Sequence, residues 1–274
     1  MMIHRSEVSA GPSLFDAALE VLRHEALEVK LACSARHAAA WRAGGLSTRG
    51  GVPVGPLAEP GRPARPCLVP PRELPRRSLN SREGLAALLH AVAHIEFNAI
   101  HLAWDAVYRF RDLPHGWYDD WVRIAEEEAY HFGLVRERLR ELGYDYGDFP
   151  AHDGLWQAAC ETAHDPLVRM AVVPRALEAR GLDVNPAMRA RLLAAGEQRG
   201  AEILDIILRD EIGHVAVGSH WFHHLCRERG LAPQATYREL VGRHLRGGLK
   251  GPFNHAARLQ AGFSAEEMAA LEGR

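Results

Sequence analysis

The sequence predicts an all-α protein: a four-helix bundle of two helical hairpins joined by a long crossover, with extra helices at both ends. Three observations predict it. A lone Glu on an apolar helical face is followed by Glu-x-x-His, and this happens twice: Glu96 with Glu128-Ala129-Tyr130-His131, and Glu178 with Glu211-Ile212-Gly213-His214. The halves have near-equal spacing, 32 residues from Glu96 to Glu128 and 33 from Glu178 to Glu211, whereas 50 separate Glu128 from Glu178. No stretch shows the two-residue alternation of a strand.

The elements follow in order. Residues 13–43 read as one amphipathic helix, with Ser13 as N-cap and Gly44-Gly45 as its stop. Residues 46–80 are rich in Pro, Gly and Arg, with Pro70-Pro71, and are expected to be extended or irregular. A loop of this length packs across the bundle or serves a function. Residues 81–229 hold the four candidate ligand helices. The first starts near Ser81 and Gly84; Leu113-Pro114-His115-Gly116 turns into the second, which Leu142-Gly143-Tyr144 ends. The third is expected over about 155–180, with a break over 181–186 and a short helix over 187–195; the fourth spans about 197–228. Residues 230–274 suggest one or two short helices around Gly247-Gly248 and Gly251-Pro252. The whole chain, 1–274, reads as a single domain.

At 100° per residue, Glu96 shares a face with Leu89, Val92, Ala93, Ile100 and Ala103. Glu128 and His131 fall among Trp121, Ile124, Ala125, Phe132 and Val135, and Glu178 follows the stripe of Leu167, Ala171 and Pro174. Glu211 and His214 lie among Leu204, Ile207, Leu208, Val215 and Gly218. An ionised carboxylate on a core-facing stripe costs several kcal/mol unless it is paired or coordinates a metal. Four of them in one core repel one another, and two divalent cations neutralise them. Hard carboxylate oxygens with one imidazole per metal suit iron or manganese. A single Glu-x-x-His is common on exposed helices; the repeat at matched spacing is what makes the pattern specific. Glu96, Glu128, His131, Glu178, Glu211 and His214 are the candidate ligands, with Glu128 and Glu211 expected to bridge and Glu96 and Glu178 to be terminal.

Composition is that of an average globular protein, 47% hydrophobic and 25% charged. A net charge of −2 gives no general drive toward nucleic acid or membrane. Cys33, Cys67, Cys160 and Cys226 form no C-x-x-C, so neither a disulfide framework nor a zinc cluster is expected. The first residues, Met1 to Glu7, lack a signal-peptide apolar run, and no apolar run of membrane-spanning length is expected. The expected compartment is the cytoplasm, with no membrane partner.

The stretches His94-Ile95-Glu96, Glu126-Glu127-Glu128-Ala129-Tyr130-His131, Leu177-Glu178-Ala179-Arg180-Gly181-Leu182-Asp183 and Asp210-Glu211-Ile212-Gly213-His214 resemble a bacterial ferritin-like family of unknown function. That family is akin to the di-iron tRNA hydroxylase acting on methylthio-isopentenyl-adenosine, and the resemblance covers about residues 13–265. It implies a carboxylate-bridged centre of two iron ions, with manganese or a mixed pair as variants and zinc as an adventitious occupant. By analogy with other di-iron bundles, Asp210 is expected to orient His131 and Glu127 to orient His214. Leu182 stands where several oxygen-activating bundle enzymes carry Thr.

The expected function is oxygen-dependent oxidation or hydroxylation of an organic substrate, with dioxygen or peroxide as co-reactant. Iron or peroxide handling of the ferritin type, a metal-binding module without turnover, and tRNA modification are the alternatives. The substrate is a small molecule or RNA, and a homodimer is one assembly open to the chain. For RNA, Arg49, Arg62, Arg65, Arg72, Arg76, Arg77 and Arg82 against Glu59, Glu73 and Glu83 form a basic loop, which bundle carboxylates could equally tie down. Arg175 and Arg180 flank Glu178; Arg175 is a candidate contact for an anionic substrate, with a structural salt bridge as its default. His90, His94 and His101 are expected to form a hydrogen-bonding or interface stripe, His220, His223 and His224 a polar patch, and Tyr130 to point off the stripe. By charge alone, replacing Glu128 or Glu211 by Gln is expected to stabilise the metal-free protein.

Overall fold

Helix α3, Arg82–Arg109, and helix α4, His115–Glu141, form a hairpin around a short turn. The computed structural model describes residues 11–75, 78–245 and 247–273; Met1 to Glu7, Arg76 and Arg77 lie outside the described residues. Ser81 opens α3 by accepting the Gly84 N–H. Gly143, at φ +79°, supplies the left-handed turn after α4. A second hairpin pairs α7, Ala179–Ala194, with α8, Gln198–Glu228, and α8 packs on α4. The two hairpins meet through α4 and α8, so the face of each helix that carries its Glu or Glu-x-x-His turns inward. Among the described residues there is no strand, only isolated bridges joining Ser13 to Ser47 and Leu68 to Ala151.

The N-terminal segment differs from expectation. Instead of one helix there are two, α1 (Leu14–Arg23) and α2 (Leu27–Arg42), which pack on each other. Lys30 accounts for the break. Its ammonium group is buried and donates to the Val21 carbonyl at 2.5 Å and the Leu22 carbonyl at 3.3 Å, satisfying the open end of α1. Neither Gly nor Pro marks this corner. The loop that follows packs across the helices: Gly55 N–H donates to the Tyr108 hydroxyl, Gly61 N–H to Leu22 O, and Trp156 Nε1 to Ala58 O.

The third ligand helix is also divided differently. Helix α5 covers Gly154–Glu161, and α6 starts at Pro166 after Asp165, whose side chain accepts the Leu167 N–H. From α6 (Pro166–Val172) the chain runs through a π-helical turn, Val173–Glu178, directly into α7. The break expected over 181–186 is absent although Pro186 lies inside α7. Pro186 has no N–H for the Leu182 carbonyl, and Asn254 Nδ2 supplies that donor at 3.2 Å. The C-terminal region forms α9 (Pro233–His244), α10 (His255–Gln260) and α11 (Ala265–Leu271), against the one or two helices expected. A buried Arg258–Asp183 pair holds α10 to α7.

Helix α3 is the one described helix long and apolar enough to cross a membrane by length and composition, against the expectation of none; most of it is buried inside the protein. The four cysteines are free. Close packing positions the π-turn: a Cβ on Gly218 of α8 would overlap the Pro174 ring. Gly218→Ala should therefore destabilise the protein by about 1–3 kcal/mol through overpacking, seen as a Tm several degrees lower. An unchanged Tm would show that α8 and the π-turn are not in obligatory contact.

Candidate metal centre

The inward faces of α3, α4 and α8 bring Glu96, Glu128, His131 and Glu211 together, with one potential ligand atom from each lying within 4.8 Å of the others. His131 Nδ1 is 3.3 Å from Glu96 Oε2 and 3.5 Å from Glu128 Oε2. His214 Nδ1 lies 3.0 Å from Glu128 Oε1 and 3.5 Å from Glu211 Oε1. Glu128 thus stands between the two imidazoles. Glu178, at the end of the π-turn, is outside that group of four but close enough to Glu211, Glu128 and His214 to feel their charges.

The outer nitrogens are held from behind. His131 Nε2 is 3.1 Å from Asp210 Oδ2, and His214 Nε2 is 2.6 Å from Glu127 Oε2. Each carboxylate can only accept, so each Nε2 carries a proton. Each Nδ1 faces the centre, where it would offer its lone pair once a metal displaced the proton it holds in the metal-free protein. Arg209 in turn binds Asp210, and Arg123 binds Glu127. Four buried atoms aimed at the centre, Glu96 Oε2, Glu128 Oε2, His131 Nδ1 and His214 Nδ1, have no hydrogen-bond partner. Buried polar atoms without partners are rare in folded proteins. A set of oxygen and nitrogen donors left open in this way fits divalent iron or manganese.

Electrostatics divides the carboxylates. Burial, then the charges of Glu211 and Glu128, pushes the Glu178 carboxyl up to about 8. Burial likewise raises Glu96 well above the usual carboxylate range and raises Glu211, with Glu128 adding to both. Glu128 goes the other way: despite burial, His214 and His131 hold it well below that range. Against burial, Glu128 and Glu96 lift His131 to about 11, and Glu128 and Glu211 raise His214. The cluster therefore collects protons, and metal ions binding there would displace them.

A cavity of about 370 Å³ opens onto the cluster, with Glu96, Glu178 and Glu211 in its wall. Glu178 and Glu211, though surrounded by protein, keep some accessible surface there. Its other wall residues, Asn98 and Asn185 among them, are not evident in the sequence, because polar positions inside long helices give no periodic signal. The π-turn was equally unforeseen; Pro174 within a helical pattern is its one visible sign.

Arg175 is not an anion contact. Its fully buried guanidinium sits among Phe222, Tyr237 and Phe263, 2.8 Å from Glu267, away from the cavity. The wide π winding takes it out of phase with Glu178, three residues on. Arg180 is the arginine that lines the cavity. His90, His94 and His101 are buried. His90 accepts the Gly147 N–H, and His94 bridges the Tyr146 hydroxyl and the His152 carbonyl. Tyr130 is exposed, and His220, His223 and His224 stay outside the cluster. In the basic loop, Arg62 pairs with Asp153, and Arg82 donates to the Glu141 carbonyl at 3.3 Å. A second group, Glu20, His24 and Cys33, went unforeseen; Arg36 and His37 already occupy Glu20.

Comparison with known proteins finds a match over residues 23–269 to the family described as "Protein of unknown function (DUF455)". An "Uncharacterized protein" of Haemophilus influenzae is 50% identical over 213 residues, which is 75% of this chain and 74% of that protein. No solved structure matches.

The sign of the pH dependence in metal-free protein follows from these shifts. The raised Glu178 carboxyl contributes stability below its ordinary 4.5 that is lost as pH rises through about 8. The raised His131 contributes stability below its ordinary 6.5 that is lost toward about 11. The Tm of metal-free protein should therefore fall between pH 5.5 and 8.5. Glu178→Gln should flatten that slope and raise the Tm at pH 8. With the Glu211 carboxyl raised, Glu211→Gln should raise the Tm of the metal-free protein, whereas Glu128→Gln should lower it by breaking the ion pairs with both imidazoles. A Tm that rises with pH, or a Glu178→Gln protein less stable at pH 8, would contradict this assignment.

Proposed function

We propose that this chain, which belongs to the DUF455 family of proteins of unknown function, is a ferritin-like di-metal protein that oxidises an organic substrate with dioxygen. The observation that carries the reading is the set of four buried, unpartnered donor atoms on Glu96, Glu128, His131 and His214. Together with Glu178 and Glu211 they form the two-fold repeated Glu, Glu-x-x-His set of di-iron bundles. The two-hairpin arrangement with its long crossover supports the ferritin-like assignment.

Glu96 and His131 would hold one ion, Glu178 and His214 the other, with Glu128 and Glu211 shared between them. Two ferrous ions bound there would supply two of the four electrons that dioxygen takes up, and the organic substrate would supply the other two. Asp210 and Glu127 keep each imidazole proton on the outer nitrogen, so Nδ1 remains a donor to the centre. Aliphatic side chains around the cluster limit water, and the cavity gives an organic molecule access to the glutamates. This access favours an enzyme over storage, because an iron store needs no room for an organic molecule beside its metal site.

The test is anaerobic loading with ferrous iron followed by exposure to oxygen. The proposal predicts two irons per chain, oxygen uptake, and a change in the visible spectrum. Fewer than one iron per chain would remove the metal site. Two irons with no oxygen uptake would remove the oxidase reading and leave a metal-binding module.

A further inference from the structure

The cavity beside the cluster carries information about what enters it. Its walls are mainly aliphatic, including Ala91, Ile95, Leu102, Val184, Met188 and Leu204. Its volume, about 370 Å³, suits a small molecule and not a polymer segment. Two wall residues break the apolar pattern. Asn98 and Asn185 are 2% and 4% exposed. Each turns its amide nitrogen onto a helix carbonyl: Asn98 Nδ2 donates to His94 O at 2.8 Å, and Asn185 Nδ2 to Leu204 O at 2.9 Å. These bonds fix which way the amides face. Both amide oxygens, Asn98 Oδ1 and Asn185 Oδ1, are buried and have no hydrogen-bond partner.

We infer that the cavity binds an uncharged aliphatic molecule bearing an N–H or O–H donor, held by the amide oxygens of Asn98 and Asn185. The inference deepens the oxidase reading and rests on it for the claim that this molecule is the substrate. Other buried polar capacity in the wall is already used. His94 has both ring nitrogens engaged, with Tyr146 and with the His152 carbonyl. Arg180, the wall's guanidinium, is partly exposed and donates to the Lys250 and Pro252 carbonyls. The wall therefore asks for donors. Its aliphatic walls also disfavour a charged head, which would give up its hydration there.

Placement adds to the argument. Asn98 lies two residues after Glu96 on α3, and Asn185 seven after Glu178 on α7, roughly 3 and 10 Å of helix rise. A molecule bonded to these amides shares one cavity with Glu96, Glu178 and Glu211. A molecule of the same shape without a donor leaves two buried oxygens unpaired, and sites built on such acceptors reject it.

The test is calorimetric titration of iron-loaded protein with octanamide, methyl octanoate and octanoate, three eight-carbon acyl probes that differ in the head group. Octanamide should bind one per chain, at least about ten-fold more tightly than methyl octanoate, with octanoate weakest. Asn98→Leu and Asn185→Leu should each cut octanamide affinity by roughly ten-fold and leave methyl octanoate within about three-fold. Equal binding of octanamide and methyl octanoate to the parent, or tightest binding of octanoate, overturns the inference. That comparison needs no variant, so a misfolded variant does not blunt it. Oxygen uptake without probe selectivity counts against the cavity inference alone. Selective binding of octanamide without oxygen uptake upholds the cavity as a binding site and removes its role in oxidation.

Discussion

The contact between Glu128 and two imidazoles is the constraint around which the rest of the structure is arranged. His131 and His214 come from different hairpins, and both bring Nδ1 to the same carboxylate. A carboxylate at that depth is tolerable only with compensating positive charge. The surrounding Glu96, Glu178 and Glu211 deepen the demand, since each adds negative charge to a volume that water barely reaches. Protons on the carboxyls and imidazoles meet it in the metal-free protein; two divalent cations meet it more fully in the proposed function.

Much of the remaining architecture serves to hold this cluster in register. Asp210 and Glu127 reach across between α4 and α8, so the bonds that orient the histidines also tie the two hairpins together. Arg138 on α4 binds Glu197 at the start of α8 at 2.7 Å, fixing the opposite end of the same pair. The π-turn lets Pro174 sit against Gly218 while Glu178 faces the cavity. Where Pro186 removes a helix donor, Asn254 from the C-terminal region restores it. The C-terminal helices thus act as a brace for α7, and Arg175 belongs to that brace and not to the site.

The convergence of Glu96, Glu128, His131, Glu211 and His214 was legible because helical periodicity places each on an apolar stripe, and a stripe must face a core. The pairing of each histidine with a carboxylate one residue before the opposite Glu came from analogy with other di-iron bundles, not from the helical phase. What stayed hidden depends on single long-range contacts. Lys30 ends α1 from eight or nine residues away, and no turn residue announces it. The helix through Pro186 relies on a side chain 68 positions later in the chain, which no local rule detects. By contrast, the break before α6 had a visible sign in Asp165-Pro166, an N-cap followed by Pro at the first helical position. The cavity was out of reach because enclosed space is a property of assembled helices.

The central claim is that the six side chains hold two metal ions. Anomalous diffraction at the iron edge, on crystals of protein grown with iron, tests it most directly. The account predicts two peaks inside the cluster, one beside His131 Nδ1 and one beside His214 Nδ1, with Glu128 between them. A cluster without anomalous signal, or a single peak at the His220–His224 end of α8, would contradict it.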